Sequence, residues 1–168
     1  MKKGTDPFSG KNSLRWLWLT AVVVALDQLT KAWVNASVAL YQRIEILPFL
    51  DITHMRNTGA AFSFLSRASG WQRWFFTTVA LSISTALVIW LRRLPPGQNR
   101  LAAGLALILG GALGNVWDRL QSGQVVDFIY VYYQNWYWPA FNVADSAITV
   151  GAGLLILDTL ASRRRGAV

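Results

Sequence analysis

The stretch LRWLWLTAVVVALDQLTKAWV, Leu14 to Val34, decides the architecture of this chain. A helix rises about 1.5 Å per residue, so roughly 20 apolar residues cross the hydrocarbon core of a bilayer, and this run is long enough. Three further runs follow: Trp74 to Leu91, a shorter one from Leu101 to Trp117, and Ala140 to Leu160. The pattern predicts four spans, at about 14–34, 74–91, 101–117 and 140–160. Pro95-Pro96-Gly97 marks the turn between the second and third. Between the first two, Arg43-Ile44-Glu45-Ile46 and Leu50-Asp51-Ile52-Thr53 alternate apolar and polar residues, the period of a strand. Asn57-Thr58-Gly59 is a turn signal, and Ala61-Phe62-Ser63-Phe64 reads as a further strand. The expected fold is an all-α membrane protein in one membrane-embedded domain spanning 1–168. Four transmembrane helices carry a small β-sheet and loop region, about 36–66, on the outer face. The aromatic residues between Phe128 and Trp138 are expected to form a belt at the membrane interface.

Composition agrees with that reading. Of 168 residues, 54% are hydrophobic and only 14% charged, too apolar for an ordinary soluble domain. There is no Cys, which excludes disulfides, thiolate metal sites and a cysteine nucleophile. A single histidine, His54, excludes a multi-histidine metal site, so neither metal nor cofactor is expected. His54 itself is read as an interfacial residue without a chemical role. The net charge of +8 does not point to nucleic acid, because the basic residues flank apolar runs and form no stripe with stacking aromatics. It suits anionic membrane lipids as neighbours.

The basic residues also set sidedness. Lys2, Lys3, Lys11 and Arg15 precede the first span, Arg92, Arg93 and Arg100 flank the 94–98 turn, and Arg163, Arg164 and Arg165 follow the last. With four spans these segments share one side, and the positive-inside rule makes it the cytoplasm, with both termini there. The opposite segments hold Arg43, Arg56, Arg67, Arg73 and Arg119, diluted by Glu45, Asp51 and Asp118. Lys2, Lys3 and the run Leu14 to Leu26, with Ser37-Val38-Ala39 beyond, imitate a cleaved leader. Asp27 and Lys31 inside the run, and the spans that follow, favour a retained first span.

Polar residues crowd the outer half. Asp145 lies five residues past Ala140, about 7–8 Å below the outer end of the fourth span, with Asn142 on the same helix face. Asn115 is near the outer end of the third span, with Arg119 at i+4. Asp27 is about 10 Å below the outer surface, with Lys31 at i+4 as a local ion-pair partner reaching toward the interface. Asp118 beside Arg119 reads as an interfacial structural pair, and the Gly110–Gly114 spacing as close helix packing. Asp127, in Val125-Val126-Asp127-Phe128, lies in the outer connection amid apolar and aromatic residues. Two carboxyls that approach closely in such surroundings cannot both ionise comfortably; one holds a proton, which sets an acid beside a base. A catalytic dyad of Asp127 and Asp145 is one reading. A structural role, or a proton-coupled transporter, remains open from the residues alone, although a conduction path needs polar groups along its full depth. A Ser63–Lys31 pair is a weaker enzymatic alternative, since Asp27 keeps Lys31 occupied.

Five stretches, taken in order, resemble the bacterial lipoprotein signal peptidases (signal peptidase II). They are Asp27-Gln28-Leu29-Thr30-Lys31; Arg56-Asn57-Thr58-Gly59-Ala60-Ala61-Phe62-Ser63-Phe64; Gly110 to Arg119; Val125-Val126-Asp127-Phe128; and Phe141-Asn142-Val143-Ala144-Asp145. The resemblance implies an intramembrane aspartyl endopeptidase of the cytoplasmic (inner) membrane, its active site near the periplasmic face. It implies Asp127 and Asp145 as catalytic dyad. Asn57, Gly59, Asn115, Arg119 and Asn142 would line or support the substrate site, and Asp27 and Lys31 the fold. It also implies the substrate, a prolipoprotein cut before its diacylglyceryl-modified cysteine; the protein is expected to work as a monomer, with no cofactor.

Overall fold

A computed structural model describes residues 13–59 and 70–165. A short 3-10 turn, Leu14–Trp16, runs into α1 (Leu17–Ser37), which is followed by β1 (Arg43–Leu47), β2 (Leu50–Asn57), α2 (Trp71–Arg93) and α3 (Asn99–Ser122). Then come β3 (Val125–Tyr133), β4 (Trp136–Tyr137) and α4 (Val143–Arg165). Four helical segments are long and apolar enough to cross a membrane: Leu14–Ser37, Trp71–Arg93, Asn99–Ser122 and Val143–Ala161. The expected architecture of four apolar helices with a small sheet is therefore present. The third helix is not short; it has 24 residues and continues past Trp117 to a left-handed Gly123, whose N–H returns to the Arg119 carbonyl. α2 stops before Pro95-Pro96, which cannot continue a helix.

α3 is the central helix and packs against α1, α2 and α4. Its glycines make this possible. A Cβ on Gly110 would run into Val23 of α1, and one on Gly111 into Ala144 and Ile148 of α4. Leu87, Leu91, Leu94, Ala102, Leu105 and Leu109 seal α2 to α3 near the 94–98 turn. Leu26, Leu29, Trp33, Ile83, Ile89, Val150 and Ile156 stay exposed on the helix surfaces, as lipid-facing residues should.

The sheet departs from the sequence reading. It has four antiparallel strands in the order β1-β2-β3-β4, and half of them come from the 125–137 connection rather than from 36–66. The aromatic stretch expected as an interface belt is thus largely strand. Val125 to Phe128 are all buried, so β3 shows no alternation of apolar and polar residues for a period-two reading to find. Val126 and Phe128 pack with Val34 and Val38 at the end of α1, fixing the sheet to the helices. The predicted strand Ala61–Phe64, with Ser63, lies outside the described residues.

Candidate active site

β3 delivers Asp127. The Gly123 turn folds the chain back from α3, and β3 pairs with β2. Ile52 faces Ile129 while Met55 faces Asp127, so β2 carries one residue more than β3 between these pairs, a bulge. Side chains alternate along a strand, and without the bulge His54 and Arg56 would share the side of Asp127. The bulge places Met55 and Asn57 there instead. Asn57 Nδ2 donates to Asp127 Oδ2 at 3.0 Å, and Asn57 Oδ1 accepts the Gly59 N–H at 2.8 Å. Gly59 has φ +100°, and a Cβ there would collide with the Phe76 ring, so the turn requires glycine.

α4 delivers Asp145. The helix starts at Val143, not Ala140, so Asp145 lies in its first turn rather than well below its outer end. The cause is local. The Asp145 N–H donates to Asn142 Oδ1 at 2.9 Å, and the Asn142 N–H donates to Asp145 Oδ2 at 3.3 Å, a reciprocal capping box. Pro139 and the bridge between Phe141 and Ile129 keep the preceding residues extended. Asn142, wholly buried, also donates through Nδ2 to Asp127 Oδ1 at 2.8 Å. One asparagine therefore joins both carboxylates. Asn115 Nδ2 supplies a further donor to Asp145 Oδ1 at 2.8 Å.

Beneath this pair, Lys31 does not reach toward the interface as expected. Its Nζ is buried, 2.7 Å from Asp27 Oδ2, 2.8 Å from Asp118 Oδ2 and 3.0 Å from Asn115 Oδ1. Asp27 Oδ1 accepts the Ala144 N–H at 2.9 Å, and Asp118 accepts from Gln28 and from the Val126 N–H. The cluster ties α1 to α3, to β3 and to the start of α4. Asp118 is thus no partner of Arg119, which has no carboxylate within ion-pair distance among the described residues. Arg119 Nη1 donates to the Asn115 carbonyl at 3.3 Å, and its guanidinium sits 5.5 Å from the Phe76 ring centroid. Sequence reasoning misjudged Asp118 and passed over Gln28. The available signal was Asp118 at i+3 from Asn115, on the helix side that meets Lys31. His54 is buried rather than interfacial, with Nδ1 2.8 Å from the Val38 carbonyl oxygen.

Asp127 is 4% exposed. Burial pushes its carboxyl up to about 7; hydrogen bonds from Asn57 and Asn142 oppose the rise and the charge of Asp145 adds to it. Asp145 is half-buried in the first turn of α4, where the helix dipole favours negative charge. The two carboxyls open onto different spaces. Asp127 lines a cavity of about 480 Å³ between the sheet and residues 137–140. Asp145 lines a groove of about 380 Å³ along α4, walled by Trp138, Phe141 and Val150. Trp138 borders both. Among the described residues, the buried charges of the helices, Asp27, Lys31 and Asp118, lie at this same end of the bundle, so no line of buried charges runs its length.

A family model described as signal peptidase (SPase) II matches residues 19–161. The chain is 56% identical over 155 residues to a protein of Pseudomonas aeruginosa named lipoprotein signal peptidase, covering 91% of this chain and 92% of the other. It is 54% identical over 160 residues to a protein of that name from Shewanella loihica, covering 95% and 94%. Among solved structures it is similar to a bacterial membrane enzyme determined by the in meso method at 2.3 Å resolution. The TM-score is 0.79 at 34% identity, covering 89% of each chain.

Proposed function

This chain belongs to the signal peptidase II family, and from that premise we propose that it removes signal peptides from prolipoproteins by aspartyl chemistry, cutting before the diacylglyceryl-modified cysteine. One observation carries the chemical part: Asn142 binds both carboxylates, holding Asp127 by its side-chain amide and Asp145 by its backbone N–H. Asp127, raised by burial to about 7, holds a proton in about half of the molecules at neutral pH and in most of them below it. Asp145, at the helix N-terminus with two N–H donors, is the partner placed to accept a proton. In the proposed reaction Asp145 takes a proton from a water between the two. The water attacks the scissile carbonyl carbon. Asp127 donates a hydrogen bond to the developing oxyanion, and its proton then passes to the leaving cysteine nitrogen. Asn57 and Asn115 hold the two carboxyls in place. Arg119 stands ready for a polar group of the substrate, since its Nε is buried and unpartnered.

The fold supports the delivery of such a substrate. The groove beside Asp145 opens along an apolar helix face and suits lipid or an apolar signal segment, while the cavity beside Asp127 belongs to the sheet. With the arginine-rich 92–100 segment toward the cytoplasm, the site faces the periplasm. A Ser63–Lys31 mechanism has little support, because Lys31 is committed to two carboxylates. The test is cleavage of a lipid-modified prolipoprotein in detergent or bilayer. Asp127→Asn and Asp145→Asn should each lower turnover by at least about 10²–10⁴-fold with folding intact. Turnover retained in either variant would remove the dyad.

A further inference from the structure

The cavity at Asp127 has a charged wall that the proposed chemistry does not use. Arg43 and Arg56 both line it, alongside Tyr130, Tyr137 and Trp138, and Asp127 is the one carboxylate among its lining residues. Neither arginine has an ion-pair partner among the described residues, where both salt bridges belong to Lys31. Glu45 and Asp51 lie on the same strands but do not line the cavity. The Arg43 guanidinium is held 4.3 Å from the Tyr130 ring centroid, which limits its freedom and keeps it over the cleft. Arg56 is exposed at the rim; it leaves β2 on the other side from Asn57, opposite Val126, and borders both this cavity and a second one lined by Lys31 and Asp118.

Two unpaired guanidinium groups in a cleft that begins at a reacting carboxyl form a recognition surface for a carboxylate. The direction of the chain selects which part of a substrate lies there. Under the function proposed above, the exposed apolar helix faces and the apolar-walled groove beside Asp145 suit the signal segment and the lipid. The water-soluble mature chain belongs over the sheet, beyond the membrane-spanning segments. We propose that Arg43 and Arg56 form a specificity pocket for an acidic side chain, Asp or Glu, within the first few residues after the cleaved bond. The inference rests on the function proposed above and adds to it a preference on the mature side.

The experiment uses the full chain and a set of diacylglyceryl-modified substrates that differ only in the residues following the cysteine: Asp or Glu, Asn or Gln, and Lys. The acidic substrates should show kcat/KM about two- to five-fold above the neutral ones, the range for exposed charge pairs, and the Lys substrates should fall below both. The difference should lie in KM, because these charges contact the substrate away from the scissile bond. It should shrink as ionic strength rises. An R43Q/R56Q variant should lose the preference while cleaving the neutral substrate as before, and R43K/R56K should restore it, which separates charge from packing on Tyr130. Equal kcat/KM for acidic, neutral and basic substrates, or a preference that survives in R43Q/R56Q, overturns this inference and leaves the aspartyl reading intact. Absence of turnover on every substrate overturns the reading and the inference together.

Discussion

Asp127 is the residue on which pH acts most directly. Its carboxyl titrates near 7 because it is buried. In the proposed reaction the working form has Asp127 protonated, so kcat/KM should fall as pH rises through about 7. A pH–rate profile flat from acid to pH 8 or so, with chemistry rate-limiting, would contradict the assignment. The same shift acts on stability with a definite sign. A carboxyl raised in the folded state contributes stability that is fully present below the ordinary value of about 3.9, and that stability is lost as pH rises through about 7. Asp127→Asn cannot ionise. Its Tm relative to the parent should therefore climb between about pH 4 and about pH 8, as read by thermal unfolding in detergent. At this scale the candidate site was largely legible in sequence. Asp127, Asp145, Asn57, Gly59, Asn115 and Asn142 share one hydrogen-bond network, and Arg119 donates to the Asn115 carbonyl at its edge. Asp118 was not legible, because adjacent opposite charges suggested a local pair. Neighbouring helix residues face different directions, and the true partner, Lys31, is on another helix.

At the scale of elements, α3 and α4 approach closely through small residues. A Cβ on Gly151 would lie 2.6 Å from the Gly104 carbonyl oxygen and 2.7 Å from Ile108 Cγ1, whereas one on Gly153 would meet nothing within 4 Å. Gly151→Ala should therefore destabilise by about 1–3 kcal/mol through overpacking, while Gly153→Ala should cause no loss. Unfolding of the two variants in the same detergent checks this; equal effects would mean that the α3–α4 contact is not the constraint. The helices were readable from the length of their apolar runs, to within a few residues at each end. β3 was not, since it is buried on both faces beside its charged residue and lacks alternation. The start of α4 was misplaced because hydropathy does not register a cap; the Asn142–Asp145 box sets it.

At the scale of the molecule, α1 and α3 end where α4 begins, and the sheet closes that end of the bundle. The basic residues around the 94–98 turn gather at the other end. The orientation can be tested without background, because the chain has no Cys. Gln98→Cys should resist a membrane-impermeant thiol reagent applied to the periplasmic side. Asn135→Cys, exposed between β3 and β4, should react. The reverse pattern would overturn the proposed sidedness.

The sequence by itself determined the four apolar spans and the identity of the polar residues at one end. These depend on length, hydropathy and residue chemistry, which are local quantities. Tertiary structure decided which side of the sheet Asp127 meets and which charges pair beneath it. A single extra residue in β2 brings Asn57 rather than Arg56 to the Asp127 side, and the packing of α1 on α3 gives Lys31 to Asp118. Both outcomes turn on register and facing between segments far apart in the chain. No period or composition within either segment encodes them; only the assembled contacts do.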